Sequence, residues 1–426
     1  MPVRRLRKES DFSSRNARPH EDGMSVNAPV RETLAIDGGQ PVRETLLPYG
    51  RQSIDEDDSQ AVVETLRSDW LTTGPKVDEF EEAFAAWVGA KHAISFSSGT
   101  AALHAAAFAA GLQPGDEAIT SPLTFAATAN CLLYQGARPV FADVSPDSLT
   151  LDPEQAGSKI TSRTRAIVPV DYAGHPADLD SILRLAERYG LVVIEDACHA
   201  LGAEYRGRRI GSISHMTVFS FHPVKHLTTG EGGMVTTENA EFAKTLRCFR
   251  NHGISSDARH RQAVGQWHYE MVLLGFNYRL TDIACALGLQ QLKKLGANLS
   301  RRKQIAARYD AGFREIPEII CPAVRPEVNP AWHLYPIRLD LNKLNASRGE
   351  IFRAMRAENI GVNVHYIPVH LHPYYRDRFG YQGGEFPVAE NAYQSLISLP
   401  MFHGMNDGDV EDVIQAVRKV VDHYSS

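Results

Sequence analysis

The chain has 426 residues, 43% hydrophobic and 23% charged, enough for a sizeable core in one large domain plus a smaller one. Lys plus Arg is 45 against 51 for Asp plus Glu, a net charge of −6, which argues against a dedicated nucleic-acid binder with its basic face. Five scattered cysteines (Cys131, Cys198, Cys248, Cys285, Cys321) supply neither a disulfide framework nor a CxxC zinc pair, so no metal is expected and a reducing cytoplasm is.

In chain order, the first residues are basic (Arg4, Arg5, Arg7, Lys8) with no apolar run behind them, so no secretory leader is expected. Residues 1–45 read as a flexible tail, with Met24 a candidate start. A helix is predicted near Asp55 to Arg67, and after the loop 68–75 the spacing of Val77, Phe80, Phe84 and Trp87 predicts an amphipathic one. Candidate strands follow at Ala93–Ser95, Glu117–Thr120, Pro139–Asp143, Ala166–Val170, Leu191–Asp196, Thr217–Phe221 and Gly233–Thr237. Between two of them, Leu179, Ile182, Leu183 and Ala186 form one helical face closed by Gly190. Such alternation predicts a mostly parallel sheet flanked by helices.

Two stretches, His92 to Gly115 and Ala118 to Ala137, carry no Asp, Glu, Lys or Arg and approach the length of a membrane span. Their contents (Ser97, Ser98, Thr100, Thr124, Thr128, Asn130) refuse that reading and suggest buried segments whose polar groups face a site; no membrane association is expected.

Past Thr281 longer helices are predicted at Thr281–Lys294 and Ser300–Ile316, then an extended segment Trp332–Asp340. Ser347 and Glu350 have capping-box spacing ahead of a helix Gly349–Asn359, with Gly361 just past its end, and a last helix covers Asp409–His423. The reading is a large domain over 46–295 and a small C-terminal α+β domain over 296–426.

Four local features carry chemistry. Ser97-Ser98-Gly99-Thr100 is a small-residue turn from a strand into an Ala-rich helix, where exposed amides suit a phosphate. An apolar strand from Leu191 delivers Glu195 and Asp196 at its C-terminal end, facing opposite ways, with His199 shortly after. In the segment 219–233, Lys225 is the one Lys or Arg between Arg209 and Lys244; a desolvated lysine has a lowered pKa and can form a Schiff base. The fourth, Gly275 to Asp282, reads as a helix start capped by Thr281 or Asn277. Together they suit pyridoxal phosphate (PLP), which needs a lysine, a carboxylate for its pyridine nitrogen, a phosphate cup and a flat neighbour, for which Phe125 is the candidate.

From about Tyr49 to its C-terminus the sequence resembles the DegT/DnrJ/EryC1/StrS sugar aminotransferases through PYGRQSID, LTTGP, SSGTAALH, EDACHALGAEY, FSFHPVKHLTTGEGG, NYRLTDI and NVHYIPVHLHPYYR. The resemblance implies the aspartate-aminotransferase-like fold (PLP-dependent transferase fold type I). It implies transfer of an amino group from L-glutamate to C4 of a UDP-linked 4-keto-6-deoxy-N-acetylhexosamine, the C4 step of pseudaminic acid biosynthesis being most similar. By the same resemblance Lys225 is the Schiff-base lysine, Asp196 the partner of the pyridine nitrogen, and Ser220, Gly99 and Thr100 phosphate ligands. Phe125 is the stacking aromatic, His199 lies near the cofactor's phenolic oxygen, and Asn277 reaches the phosphate of the other subunit, implying a homodimer with shared sites. Tyr49, Thr72, Thr73, Gly74, Arg279, His365 and Tyr366 lie in segments facing the nucleotide-sugar. Ala284 and His403 depart from the family pattern, outside the cofactor motifs. Lys225 argues against the dehydratases of the same group, which carry His there, and intact Lys225, Asp196 and Ser220 argue against a non-catalytic relic.

Overall fold

The seven predicted strands all form and pair into one sheet: β1 (His92–Phe96), β2 (Glu117–Thr120), β3 (Arg138–Phe141), β4 (Thr164–Val168), β5 (Val192–Asp196), β8 (Met216–Ser220) and β9 (Gly233–Thr237). The structure is a computed structural model that describes residues 32–255, 261 and 264–425. The spatial order is β1-β9-β8-β5-β4-β2-β3, parallel from β8 through β3, with β9 antiparallel to both neighbours. Between β5 and β8 the chain makes a ribbon of β6 (Glu204–Tyr205) and β7 (Arg208–Arg209), to which β11 (Val328–Asn329) adds.

Side chains alternate across this sheet, and each face has its own core. Val193, Phe219 and Met234 join one core with Phe80 and Phe84 of the helix Pro75–Val88. Ile194, Val218 and Val235 join the other, covered by the Ala-rich helix Gly99–Ala109. That alternation decides which way the two acids at the end of β5 face. Trp87, expected on the buried face of its helix, sits at the edge instead, half-buried, with the Arg209 guanidinium 4.5 Å from its ring centroid.

The predicted pair of helices after Thr281 is one continuous helix, Asp282–Phe313, of 32 residues, started by the Thr281 side chain. Nothing in Leu295-Gly296-Ala297-Asn298-Leu299 breaks it, and both Leu295 and Leu299, one turn apart, are buried on one side. This continuous helix contains Leu295, the expected end of the large domain. Its C-terminal half packs with the helices Arg348–Ala357 and Asp407–Tyr424 around a sheet of β10 (Ile319–Ile320), β12 (Tyr335–Leu339) and β13 (Leu396–Leu399). The capping box of Ser347 and Glu350 forms as predicted. Gly361, expected as a helix stop, is required for another reason: its N–H donates to Leu47 O at 2.7 Å, and a Cβ there would lie 2.5 Å from that oxygen.

Part of the expected flexible tail is anchored. Leu34 is fully buried in the small-lobe core, and the buried Glu358 carboxylate accepts the N–H groups of Ala35 and Val42 and pairs with Lys419. The expectations for Arg4 to Lys8 and Met24 lie outside the described residues. Among the described residues no helix is long and apolar enough to cross a membrane.

Candidate active site

The C-terminal ends of β5 and β8 open on a cavity of about 570 Å³, closed on its far side by the segment Asn363 to Tyr366. This is where an open α/β sheet offers strand ends and helix N-termini to a ligand. The turn after β1 forms one end of it. Ser98 caps the helix Gly99–Ala109 by accepting the Ala101 N–H at 3.1 Å, leaving Gly99 and Thr100 at the cavity edge. A Cβ on Gly99 would lie 2.9 Å from Ser220 Cβ and 3.1 Å from its Oγ, so only glycine lets the end of β8 bring that hydroxyl against the helix start. Two hydroxyls and a helix N-terminus meet there, a cup for an anionic group.

Asp196 follows Ile194 onto the helix-covered face and lines the cavity. Its Oδ2 accepts from Thr128 Oγ1 at 2.7 Å and its Oδ1 from Cys198 N at 3.2 Å. Glu195 turns to the opposite face, fully buried, accepting from Thr217 Oγ1 at 2.8 Å. Burial and then the Glu195 charge push the neighbouring Asp171 well above the usual carboxylate range, and neither Glu195 nor Asp171 lines the cavity. The two acids thus have separate surroundings, and only Asp196 is a candidate for ligand chemistry.

Lys225 projects into the same cavity from the loop after β8. Among the described residues its ammonium has no hydrogen-bond partner. Burial pushes it below the ordinary lysine range, while the Cys198 and Asp196 charges act the other way. The Cys198 thiol is itself pushed well up by burial and stays neutral, so the Asp196 carboxylate is the anion that counts. Phe125, which could have been a core residue, is 60% exposed and faces the cavity as a bare aromatic surface.

His199 is buried, its Nε2 hydrogen-bonded to Tyr366 Oη at 3.0 Å and its ring 4.3 Å from that of His333. Burial first, then the Lys225 charge, keep it neutral, and burial holds the Tyr366 phenol protonated. His365 is held by Ser398 Oγ at 2.9 Å on Nδ1 and by Asn363 Nδ2 at 3.4 Å on Nε2, and burial lowers it to about 4. Tyr49 stands over it with ring centroids 5.3 Å apart.

Of the residues singled out in the sequence, Lys225, Asp196, His199, Ser220, Gly99, Thr100, Phe125, Tyr49, His365 and Tyr366 share this cavity. Thr72, Thr73, Gly74, Arg279 and Asn277 do not line it. Thr72 bridges to Thr281, and Gly74 N–H donates to Asp282 Oδ2 at 2.7 Å, so this loop is tied to the start of the long helix. Arg279 Nη1 donates to Asn251 Oδ1 at 2.8 Å, and Asn277 is exposed, bridged to Asn251. Sequence reasoning missed Thr128, His333 and Asn363 as site residues. Thr128 lay in the charge-free stretch already noted for its polar groups and Asn363 opens the motif NVHYIPVHLHPYYR; His333 gave no local signal. Elsewhere His370, Glu385 and Glu390 gather their donor atoms within 4.8 Å. Their carboxylates accept backbone N–H groups of Gln382, Gly383, Gly384 and Phe386, so the group clamps a loop.

The cavity fits PLP on its own terms: a lysine free to bond, a carboxylate held by two donors, a hydroxyl cup that a Cβ on Gly99 would fill, and a bare ring. Comparison with known proteins agrees. The sequence model of the DegT/DnrJ/EryC1/StrS aminotransferase family matches residues 52–418. The chain is 48% identical over 381 residues to the spore coat polysaccharide biosynthesis protein SpsC of Bacillus subtilis, covering 89% of this chain and 98% of SpsC. Its fold matches Helicobacter pylori PseC, an aminotransferase involved in the biosynthesis of pseudoaminic acid, with a TM-score of 0.83 and 33% identity over 89% of this chain and 100% of that one. The PLP-form of Streptococcus pneumoniae Spr1654 matches with a TM-score of 0.83 and 31% identity, covering 89% of this chain and 99% of that one.

Proposed function

The chain belongs to the DegT/DnrJ/EryC1/StrS aminotransferase family, a PLP-dependent family, and from that premise we propose that it moves an amino group from L-glutamate to C4 of a UDP-linked 4-keto-6-deoxy-N-acetylhexosamine. The observation that carries the transamination is the meeting of Lys225 and Asp196 in one cavity with the Gly99–Ser220 cup. The substrate rests on the likeness to PseC, and the step would serve pseudaminic acid biosynthesis. Five unpaired cysteines agree with a cytoplasmic setting.

PLP supplies an aldehyde that takes up an amino group and a ring that takes up the electron pair left at the donor α-carbon. Gly99, Thr100 and Ser220 would hold its phosphate, Phe125 would offer a flat surface to its ring, and Asp196 would keep a proton on the pyridine nitrogen. His199, a neutral imidazole fixed by Tyr366 at Nε2, would have its unpartnered Nδ1 available to the cofactor's phenolic oxygen. Lys225 Nζ would be the amine that holds the cofactor and, once free, the base that takes the proton from the donor α-carbon. In the second half Lys225 returns a proton to the sugar's C4, while Tyr49, His365 and Tyr366 orient the sugar and exclude water.

A second reading, transamination of a different nucleotide-linked keto sugar, is favoured by the higher identity to SpsC, a polysaccharide biosynthesis protein. Incubation of the holoenzyme with glutamate and a panel of nucleotide-linked 4-keto and 3-keto sugars separates the two. Amine formed at C4 of the UDP-linked 4-keto-6-deoxy-N-acetylhexosamine is the expected product. Amine formed from another sugar alone overturns the substrate and leaves the chemistry.

We further propose a homodimer with shared sites, in which Thr72, Thr73, Gly74, Asn277 and Arg279 serve the partner's cavity. Asn277 is exposed, and the segment leading to it carries Trp267, Met271, Val272 and Leu274, each at least 60% exposed, apolar side chains that a partner subunit would cover. Lys225→Ala and Asn277→Ala subunits, each inactive alone, are expected to recover activity when mixed and re-associated, because one site of each heterodimer has both residues intact. Verified heterodimers without activity would reject the shared site.

A further inference from the structure

Behind the cavity wall lies a cation that the chemistry above does not use. Arg302, on the long helix, is 1% exposed, and its Nη1 donates to three main-chain carbonyls: Trp332 at 3.1 Å, His333 at 3.3 Å and Met401 at 2.9 Å. Among the described residues no carboxylate pairs with it. A buried guanidinium without a counter-ion is costly, and replacing it by an apolar side chain would remove that cost. Between Arg302 and Lys225 stands a layer of imidazoles. His333 lines the cavity with its ring 5.5 Å from that of His226, and His226 Nε2 donates to Ala331 O at 3.0 Å.

We propose that Arg302 is a positioning residue for Lys225: its uncompensated charge, locked to the backbone behind the histidine layer, favours the neutral amine of Lys225 over the ammonium. The inference rests on the PLP reading of the site, in which Lys225 must be neutral both to bond the cofactor and to accept a proton.

The groups facing Lys225 make the balance legible. From the end of β5 come the Asp196 carboxylate, which favours the ammonium, and the neutral Cys198 thiol. His199, His226, His333 and His365 surround it, all lowered chiefly by burial and so uncharged. Burial is the main influence that favours the neutral amine of Lys225, and Arg302 adds to it against Asp196. Burial lowers Arg302 itself only to about 10, so it stays charged at neutral pH. On its outer side stand His403, lowered to about 4 by burial and then by Arg302 and Lys294, and Lys294, which is paired with Asp55 and Asp58. No acid among them quenches the guanidinium. His403 is also one of the two positions where the sequence departs from the family pattern.

The test uses the apoprotein and the rate at which it captures PLP, followed by absorbance across pH and normalised to the alkaline plateau. In that step the neutral Nζ attacks the aldehyde carbon, a C=N bond forms, and the aldehyde oxygen leaves as water with the amine's two protons. Arg302→Gln, which keeps an amide donor for the carbonyls but loses the charge, is expected to capture PLP about tenfold more slowly at pH 8 relative to its plateau, while Arg302→Lys follows wild type. Should Arg302→Gln not fold, His403→Glu compared with His403→Gln decides, because the glutamate offers Arg302 a counter-ion and should reproduce the slowing. A wild-type profile in folded Arg302→Gln, or in His403→Glu, overturns the proposal, as does an Arg302→Lys profile matching that of Arg302→Gln. Capture that proceeds equally in Lys225→Ala would instead refute the cofactor assignment on which the inference rests.

Discussion

Lys225→Ala is expected to reduce transamination by at least about 10⁴-fold and to leave the fold unchanged. The size follows from the two roles proposed for one atom: Nζ would bond the cofactor aldehyde, and it would move the proton at the donor α-carbon. No other side chain at the cavity can do both. His199 and His365 are neutral but fixed by Tyr366 and by Ser398, and neither can form the covalent bond that lysine does. Stability should change little, because among the described residues the ammonium makes no hydrogen bond whose loss would leave a buried partner stranded. The measurement is turnover with glutamate, alongside borohydride trapping of PLP on the chain. Wild-type protein should retain the cofactor covalently after reduction and the variant should not. Turnover by the variant at the wild-type rate would reject the mechanism.

Asp196→Asn should bind PLP and lose activity by about 10²- to 10³-fold, the scale seen when one preorganised charge is removed from a reacting centre. Asparagine is close to isosteric, and its amide can still meet Thr128 Oγ1 and the Cys198 N–H, so the defect should appear in kcat rather than in folding. The neighbouring acid is the control. Glu195→Gln alters a carboxylate fully buried on the opposite face beside Asp171 and Thr217, so it should cost stability while turnover per folded molecule remains. Activity retained in Asp196→Asn and lost in folded Glu195→Gln would reverse the assignment of the two acids.

Those two residues also mark how far local sequence carried the reading. The seven strands were legible because each is a short apolar run bounded by turn residues, and in a sheet covered on both faces such runs need no partner to be recognised. Capping at Ser347 and Thr281 was legible because a helix start is decided within four residues. The ends of the long helix were read correctly and its middle was not. Gly296 and Asn298 look like a break, yet packing of Leu295 and Leu299 outweighs their weak propensity.

The site divides along the same line. By itself the sequence determined a lysine without neighbouring basic residues, an acid at a strand end, and a small-residue turn, since each is a property of a few consecutive residues. Only the tertiary structure decided that Asp196 rather than Glu195 faces the cavity, through the strand's period of two and the identity of the core on each face. It also decided that Thr128 orients Asp196, that a layer of neutral histidines separates Lys225 from Arg302, and that Asn277 lies outside its own chain's cavity. Such relations join residues from 68 to more than 100 positions apart. They depend on which helix covers which sheet face and where the long helix crosses into the small lobe, and no window of sequence contains that geometry.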